Sequence, residues 1–233
     1  MSTRKNIEVK TIFNKISYKY DFLNNLLSLG LHKLWKKKLI NLLEPKSGED
    51  WADLCCGTGD MAFQIYKRIG RNGSIIGIDS ASEIINIAKE KSDLINNKII
   101  EWEIKDIMEI NECSQKFDGI CMSYGLRNLE NVNEGIQKVF YLLKERGRAG
   151  FLDFNNSKKN SIPNIFQRIY LRKVVVPISK IFDFSKEYKY IEKSIKSFPS
   201  GNELAKIAKE VGFKNIEYKT IFFGQMGILI VNK

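Results

Sequence analysis

Trp51–Asp60 reads WADLCCGTGD, a short apolar run that breaks into a turn carrying Gly57 and Gly59. Such a run, ended by glycines, predicts a buried strand over 50–56, and DMAFQIYKRI (60–69) behind it has helical spacing. In an open α/β sheet, ligands sit beyond the carboxyl ends of the strands, where a strand–turn–helix unit of this kind opens. Glycines there let the backbone turn sharply and come close to a ligand. A phosphate cradle would read G-x-x-x-x-G-K-[S/T]. Here Asp60 follows Gly59. A carboxylate at the mouth of the turn repels a triphosphate or pyrophosphate and favours a cationic ligand.

The same alternation continues downstream. SIIGID (74–79), IIEWEI (99–104), FDGICMS (117–123) and RAGFLDF (148–154) read as strands. Helices are expected over 83–91, N-capped by Ser80 or Ser82, and over 133–144. Strands that alternate with helices predict a parallel sheet with right-handed crossovers. After a basic, aromatic stretch at 155–196 come a helix (202–211) and two strands, 214–222 and 226–232. Only a short turn at Gly224–Gln225 separates those strands, so they predict an antiparallel hairpin. Upstream, residues 3–43 repeat apolar positions at helical spacing, interrupted near Ser28–Gly30 and stopped by Pro45 and Gly48. The expected organisation is a helical N-terminal cap (1–46) and one α/β domain (47–233) that carries a basic insertion (155–196).

Composition narrows the class. No run of 18 apolar residues is present, and MSTRKNIEVK lacks the apolar stretch of a signal peptide. The four cysteines (Cys55, Cys56, Cys113, Cys121) form no C-x-x-C pair, and His32 is the single histidine. That argues against a zinc site and points to a reduced, cytoplasmic setting. The net charge is +11 and unevenly spread. Residues 1–46 and 156–196 each hold ten Lys or Arg against three acids, while the remainder is slightly acidic. Basic surfaces suit nucleic acid or an anionic membrane face. Nucleic-acid methylation lacks its usual marks. No [D/N/S]-P-P-[F/Y/W] segment follows the fourth strand, and no proline precedes a cysteine.

Two further acids refine the ligand. Asp79 ends the second strand, where an acid accepts hydrogen bonds from both hydroxyls of a ribose. Asp106 follows the third strand, placed for an adenine amino group. With the acidic turn, the ligand carries a ribose, an adenine and a positive charge but no phosphates, a description that S-adenosylmethionine fits. Asp53, Gly57, Thr58, Gly59, Asp60, Asp79, Ser80, Asp106, Ile107 and Ser123 are the positions expected to hold it.

The pattern D-x-x-x-G-T-G-D with an acid ending strand two resembles class I S-adenosylmethionine-dependent methyltransferases, with Cys55 where the turn's first glycine usually stands. YDFLNNLLSLGLHKLW (20–35) resembles the signature Y-D-x-x-N-x-x-x-S-x-x-x-H-x-x-W of the ubiquinone/menaquinone biosynthesis C-methyltransferases. SYGLRN (123–128) and YKYIEKSIKSFP (188–199) are similar to the same family. LKERGRAG (143–150) and LDFN (152–155) depart from that family's L-K-P-G-G-R and L-E-F-S. The tails SFPSGNEL (197–204) and GQMGILIVNK (224–233) look most like its branch from oxygenic phototrophs.

The resemblance implies a Rossmann-like, seven-stranded, mostly parallel sheet with a C-terminal antiparallel hairpin. It also implies C-methylation of a prenylated naphthoquinol, with 2-phytyl-1,4-naphthoquinol favoured and demethylmenaquinol or a ubiquinone precursor as alternatives. Arg127 is then the candidate cation that stabilises a phenolate, Asn128 an orienting group and His32 a candidate base. Tyr20, Asn24 and Trp35 are expected to shape the quinol pocket. Both basic segments are expected to face an anionic membrane surface, with Phe166, Tyr170, Phe182 and Phe184 as apolar contacts. Oligomeric state is left open by the sequence.

Overall fold

In the computed structural model, seven strands form one sheet: β1 (Asp50–Leu54), β2 (Ser74–Asp79), β3 (Ile100–Ile104), β4 (Phe117–Ser123), β5 (Leu143–Phe154), β6 (Ile216–Ile221) and β7 (Met226–Asn232). The structure describes residues 4–110, 116–156 and 185–233, with a few isolated positions between the last two stretches. Strand order is β3-β2-β1-β4-β5-β7-β6. β1 to β5 pair in parallel, and β7 lies antiparallel to both β5 and β6. The order reverses between β1 and β4, which places the topological switch point at the end of the strand that carries WADLCC.

Among the described residues, the α-helices with defined bounds are α1 (Arg4–Ile16), α2 (Tyr20–Ser28), α3 (Leu31–Leu43), α4 (Asp60–Ile69), α5 (Ser82–Leu94), α6 (Val132–Leu142), α7 (Ser185–Ser197) and α8 (Gly201–Val211). α8 starts on a capping box between Ser200 and Glu203. α7 gives regular structure to the end of the insertion, where no βα unit was expected. Phe166, Phe182 and Phe184 lie outside the described residues.

Both faces of the sheet are covered, which is why its central strands read as continuous apolar runs. On one face, Met122, Ile136, Val139, Phe151 and Leu204 share a core. On the other, Leu39, Leu43, Trp51, Ile65 and Ile228 share a second. α3 therefore belongs to the packed body through Leu39, Ile40 and Leu43. β5 begins five residues before the expected position. Leu143 is already extended and pairs with Phe117, and the extra length is absorbed by an irregularity before Gly119 and a left-handed Arg146 (φ 64°).

Candidate active site

A pocket opens at the carboxyl ends of β1 to β4. Its floor comes from Cys55, Gly57, Asp79, Asp106 and Ser123, and its cover from Val9 and Phe13 of α1 and Tyr20 of α2. Phe13 meets Tyr20 edge-on, with ring centroids 5.8 Å apart. Gly57 adopts φ +56°, and a Cβ there would lie 3.5 Å from the Tyr20 ring. A contact of that length is ordinary packing, so it is the left-handed backbone that favours glycine here.

Asp79 accepts from the Gly57 amide through Oδ2 and from the Ala81 amide through Oδ1, each at 3.0 Å. Burial pushes its carboxyl up, and those amides oppose the shift. Each oxygen retains acceptor capacity for a further donor. Asp106 caps the turn behind β3, accepting from the Met108 amide at 2.9 Å. Ser80 and Ile107 complete this wall. Ser123 Oγ is buried without a hydrogen-bond partner and borders the pocket. Two acids for hydroxyl or amino donors, an orphaned hydroxyl and a glycine turn without a side chain on the pocket floor fit a nucleoside ligand such as S-adenosylmethionine.

Four positions expected at the cofactor do other work. Asp53 is 1% exposed inside the sheet, where it accepts from the Ala62 amide (3.0 Å) and the Cys121 thiol (3.3 Å). It therefore satisfies an amide in the first turn of α4. Burial, only partly offset by Cys121 and Lys36, pushes its carboxyl up to about 7. Thr58 Oγ1 donates to Asp21 Oδ1 at 2.7 Å, and Lys91 Nζ holds the other Asp21 oxygen at 2.6 Å. Gly59 (φ +86°) is needed for packing, since a Cβ there would come within 2.4 Å of Trp102. Asp60 pairs with Lys36 at 2.8 Å. Burial would raise the Asp60 carboxyl, but Lys36 outweighs burial and holds it below the usual range. The acid at the turn is thus neutralised by α3 and is not aimed at a cationic ligand.

The expected substrate and catalytic positions divide in the same way. Tyr20 and Asn128 line the pocket. Asn24 bonds the Tyr20 hydroxyl from α2. Trp35 is not among the pocket's lining residues and lies tilted against Phe222, with ring centroids 5.2 Å apart. His32 is buried with Nδ1 2.7 Å from Ser28 Oγ, and burial together with Lys36 pushes it down to about 4. It packs the cap and does not reach the pocket lining. Arg127 is buried and paired: Nη1 meets Asp153 Oδ1 at 2.8 Å, and its amide donates to Asp153 Oδ2 at 3.1 Å. Its guanidinium also lies 5.2 Å from the Phe154 ring centroid. This cation is therefore already matched by a carboxylate, while its Nε is buried without a hydrogen-bond partner.

Sequence reasoning missed Asp153 and Tyr124. Tyr124 follows β4 at φ 62°, a left-handed conformation that costs a non-glycine residue about 1–3 kcal/mol. Its amide donates to the Leu152 carbonyl at 2.7 Å. Its carbonyl accepts from Arg127 Nη1 at 2.7 Å and Asn128 Nδ2 at 3.1 Å. Asn128 Oδ1 in turn accepts from the Tyr190 hydroxyl of α7 at 3.1 Å. Cys55, in the place of the usual glycine, is also left-handed (φ 54°). It fits because the next loop has Gly125, where a Cβ would lie 2.5 Å from Cys55 Cβ.

The switch-point pocket, the acids at the ends of β2 and β3, and the closing hairpin define a class I methyltransferase fold. A methyltransferase from Aquifex aeolicus superposes with a TM-score of 0.64 at 15% identity, covering 91% of this chain and 97% of that one. A Haemonchus contortus phosphoethanolamine N-methyltransferase solved with S-adenosyl-L-methionine superposes at 0.66 and 12% identity, over 86% of this chain and 52% of that one. The chain belongs to the ubiE/COQ5 methyltransferase family, which matches residues 1–233, and it is an S-adenosylmethionine-dependent methyltransferase. A Nostoc punctiforme 2-phytyl-1,4-naphthoquinone methyltransferase is 36% identical over 227 residues, 97% of this chain and 98% of that protein. The chloroplastic 2-phytyl-1,4-beta-naphthoquinone methyltransferase of Arabidopsis thaliana is 36% identical over 226 residues, 96% of this chain and 86% of that protein.

Proposed function

We propose that this enzyme methylates the free ring carbon of 2-phytyl-1,4-naphthoquinol, the reduced ring of a phylloquinone precursor. The observation that carries this reading is full-length kinship with enzymes of that name in both a cyanobacterium and a plant. S-adenosylmethionine supplies the electrophilic methyl group when bound. Asp79 and Asp106 would take its hydroxyl and amino donors, with Ser80, Ile107 and Ser123 around them. Val9, Phe13 and Tyr20 offer an apolar and aromatic wall for a fused ring and exclude water from it. A quinone ring is electron-poor, whereas the quinol, as its phenolate, is nucleophilic at carbon. Reduction of the ring must therefore precede transfer.

The test is transfer of labelled methyl to 2-phytyl-1,4-naphthoquinone with and without dithionite, beside an octaprenyl naphthoquinone. Label in the phytyl compound only under reduction is expected. Preference for the octaprenyl ring would move the enzyme to menaquinone synthesis, and no label in either would overturn the quinol reading.

A phytylated ring resides in a membrane, and the cap offers a surface suited to one. No helix among the described residues is long and apolar enough to cross a bilayer. Phe22 on α2 and Leu29 just past its end are 51% and 68% exposed, and Leu34 on α3 is 62% exposed. Lys19, Lys33, Lys37 and Lys38, all exposed, lie on the same stretch of chain. Exposed apolar side chains interspersed in sequence with lysines suit peripheral contact with anionic lipid. Flotation with anionic vesicles is expected to carry the protein, and equal flotation with neutral vesicles would refute a role for charge.

A further inference from the structure

We propose that Tyr124 is the hydrogen-bond donor to a ring oxygen of the quinol, with Arg127, Asn128 and Asp153 acting as the frame that aims it. The proposal rests on the naphthoquinol reading above, because it needs a ring oxygen as acceptor.

Three independent observations meet at this residue. First, the Tyr124 hydroxyl is buried and has no hydrogen-bond partner, although the residue borders the pocket. A buried phenol without a partner is costly, and its hydroxyl calls for an acceptor that the protein itself does not supply. Second, the backbone is held left-handed at φ 62°, with its amide and carbonyl both engaged. Two side chains converge on that one carbonyl, and one of them, Arg127, is locked by a buried carboxylate. The frame accounts for the RN of SYGLRN without asking Arg127 to touch the substrate. Third, Tyr20 stands on the cover of the same pocket, but its hydroxyl is bonded by Asn24. Between the two phenols of the pocket, Tyr124 is therefore the one whose hydroxyl lacks a protein partner.

Burial, reinforced by Asp153, pushes the Tyr124 phenol well above its ordinary range. It stays protonated at any physiological pH and can donate but cannot serve as the base. A fixed donor at a ring oxygen does two things. It sets the orientation of the ring, and it holds the phenolate that makes the ring carbon nucleophilic. As the new carbon–carbon bond forms, the methyl–sulfur bond breaks with its electron pair going to sulfur. The sulfur leaves as S-adenosylhomocysteine, and the ring carbon then releases its proton to water as aromaticity returns.

The variant is Tyr124→Phe, which removes one oxygen and keeps the ring. Methyl transfer to reduced 2-phytyl-1,4-naphthoquinone should fall roughly ten- to hundredfold in kcat/KM, as for loss of a buried hydrogen bond that leaves its partner unpaired. The rising limb of the kcat–pH profile should move to higher pH, because the bound quinol ionises less readily. Binding of S-adenosylhomocysteine, measured by calorimetry, should stay within about twofold of wild type, and thermal stability should not fall, because the hydroxyl bonds nothing in the protein. Unchanged kinetics in Tyr124→Phe would overturn the proposal. So would a parallel loss of S-adenosylhomocysteine affinity, which would assign the hydroxyl to the methyl donor's site. If wild type binds S-adenosylhomocysteine yet methylates no naphthoquinol, the functional reading fails first and takes this assignment with it.

Discussion

Breaking the buried pair between Arg127 and Asp153 from one side should cost far more than breaking a surface pair among the described residues, and Asp153→Asn tests this. Both side chains are nearly inaccessible, at 6% and 4% exposure, with 2.8 Å between Nη1 and Oδ1. The substitution keeps shape and volume but leaves a guanidinium buried without a counter-charge. It also removes an acceptor from the Arg127 amide, which donates to Asp153 Oδ2. Breaking a buried pair from one side costs about 3–5 kcal/mol. Against a total stability of about 5–15 kcal/mol for a domain, that loss is severe. The pair Lys196–Glu192 is the internal control, with side chains 73% and 41% exposed. Glu192→Gln should cost about 0.3–0.5 kcal/mol. The assay is equilibrium unfolding in urea at neutral pH, comparing midpoints at unchanged slope. A double variant, Arg127→Met with Asp153→Leu, should recover much of the loss, since no buried charge is left alone. If Asp153→Asn costs no more than Glu192→Gln, or the double variant is as unstable as the single, the reasoning about this pair is wrong.

Gly125→Ala should destabilise by about 1–3 kcal/mol through overpacking, because its Cβ would lie 2.5 Å from Cys55 Cβ and 2.8 Å from Sγ. Adding Cys55→Gly should restore most of that stability, and absence of rescue in urea unfolding would mean the two loops do not share this space. Asp21→Ala frees Thr58 and Lys91 together, so affinity for S-adenosylhomocysteine by calorimetry should weaken severalfold, while unchanged affinity would show the turn to be held without α2. His32 has its pKa lowered to about 4 in the fold by burial and Lys36. Between that value and the unfolded value near 6.5, the unfolded chain binds more protons, so this group makes stability rise with pH across the interval and lose its contribution as pH falls toward 4. His32→Gln should flatten that limb in urea unfolding measured from pH 4 to 7, and an unaltered limb would assign it to other groups.

The middle of the sheet was legible because its central strands are buried on both faces and so stand out as apolar runs. SIIGID, FDGICMS and MGILIVN match β2, β4 and β7 residue for residue. Asp79 and Asp106 were legible for a related reason, as position at a strand's carboxyl end settles which way they face. Asp60 and Arg127 were legible as charges but not as roles. Whether a charge meets a ligand or a protein partner depends on what folds against it. Those partners, Lys36 and Asp153, are 24 and 26 residues away. Trp35 shows the same limit, since a helical tryptophan is apolar lining wherever it packs and its partner, Phe222, comes from the far hairpin. Tyr124 gave one faint signal, an aromatic residue directly before a glycine where a strand ends. Its importance arises from a positive φ and two side chains converging on its carbonyl, neither of which a residue pattern displays. Val9 and Phe13 were hidden among the regular apolar spacings of the first helix.

The Asp21 carboxylate takes Thr58 with one oxygen and Lys91 with the other, while the neighbouring Tyr20 roofs Gly57. On the proposed function, the helix that would shelter the acceptor ring is therefore bolted to the turn that would meet the methyl donor. A ligand that moves one half of such a pocket is then felt in the other. Linkage makes that influence reciprocal: whatever factor one occupant adds to its neighbour's affinity, it receives in return. A mutation at Asp21, remote from both reacting atoms, would then weaken this mutual reinforcement together with the methyl donor's own affinity.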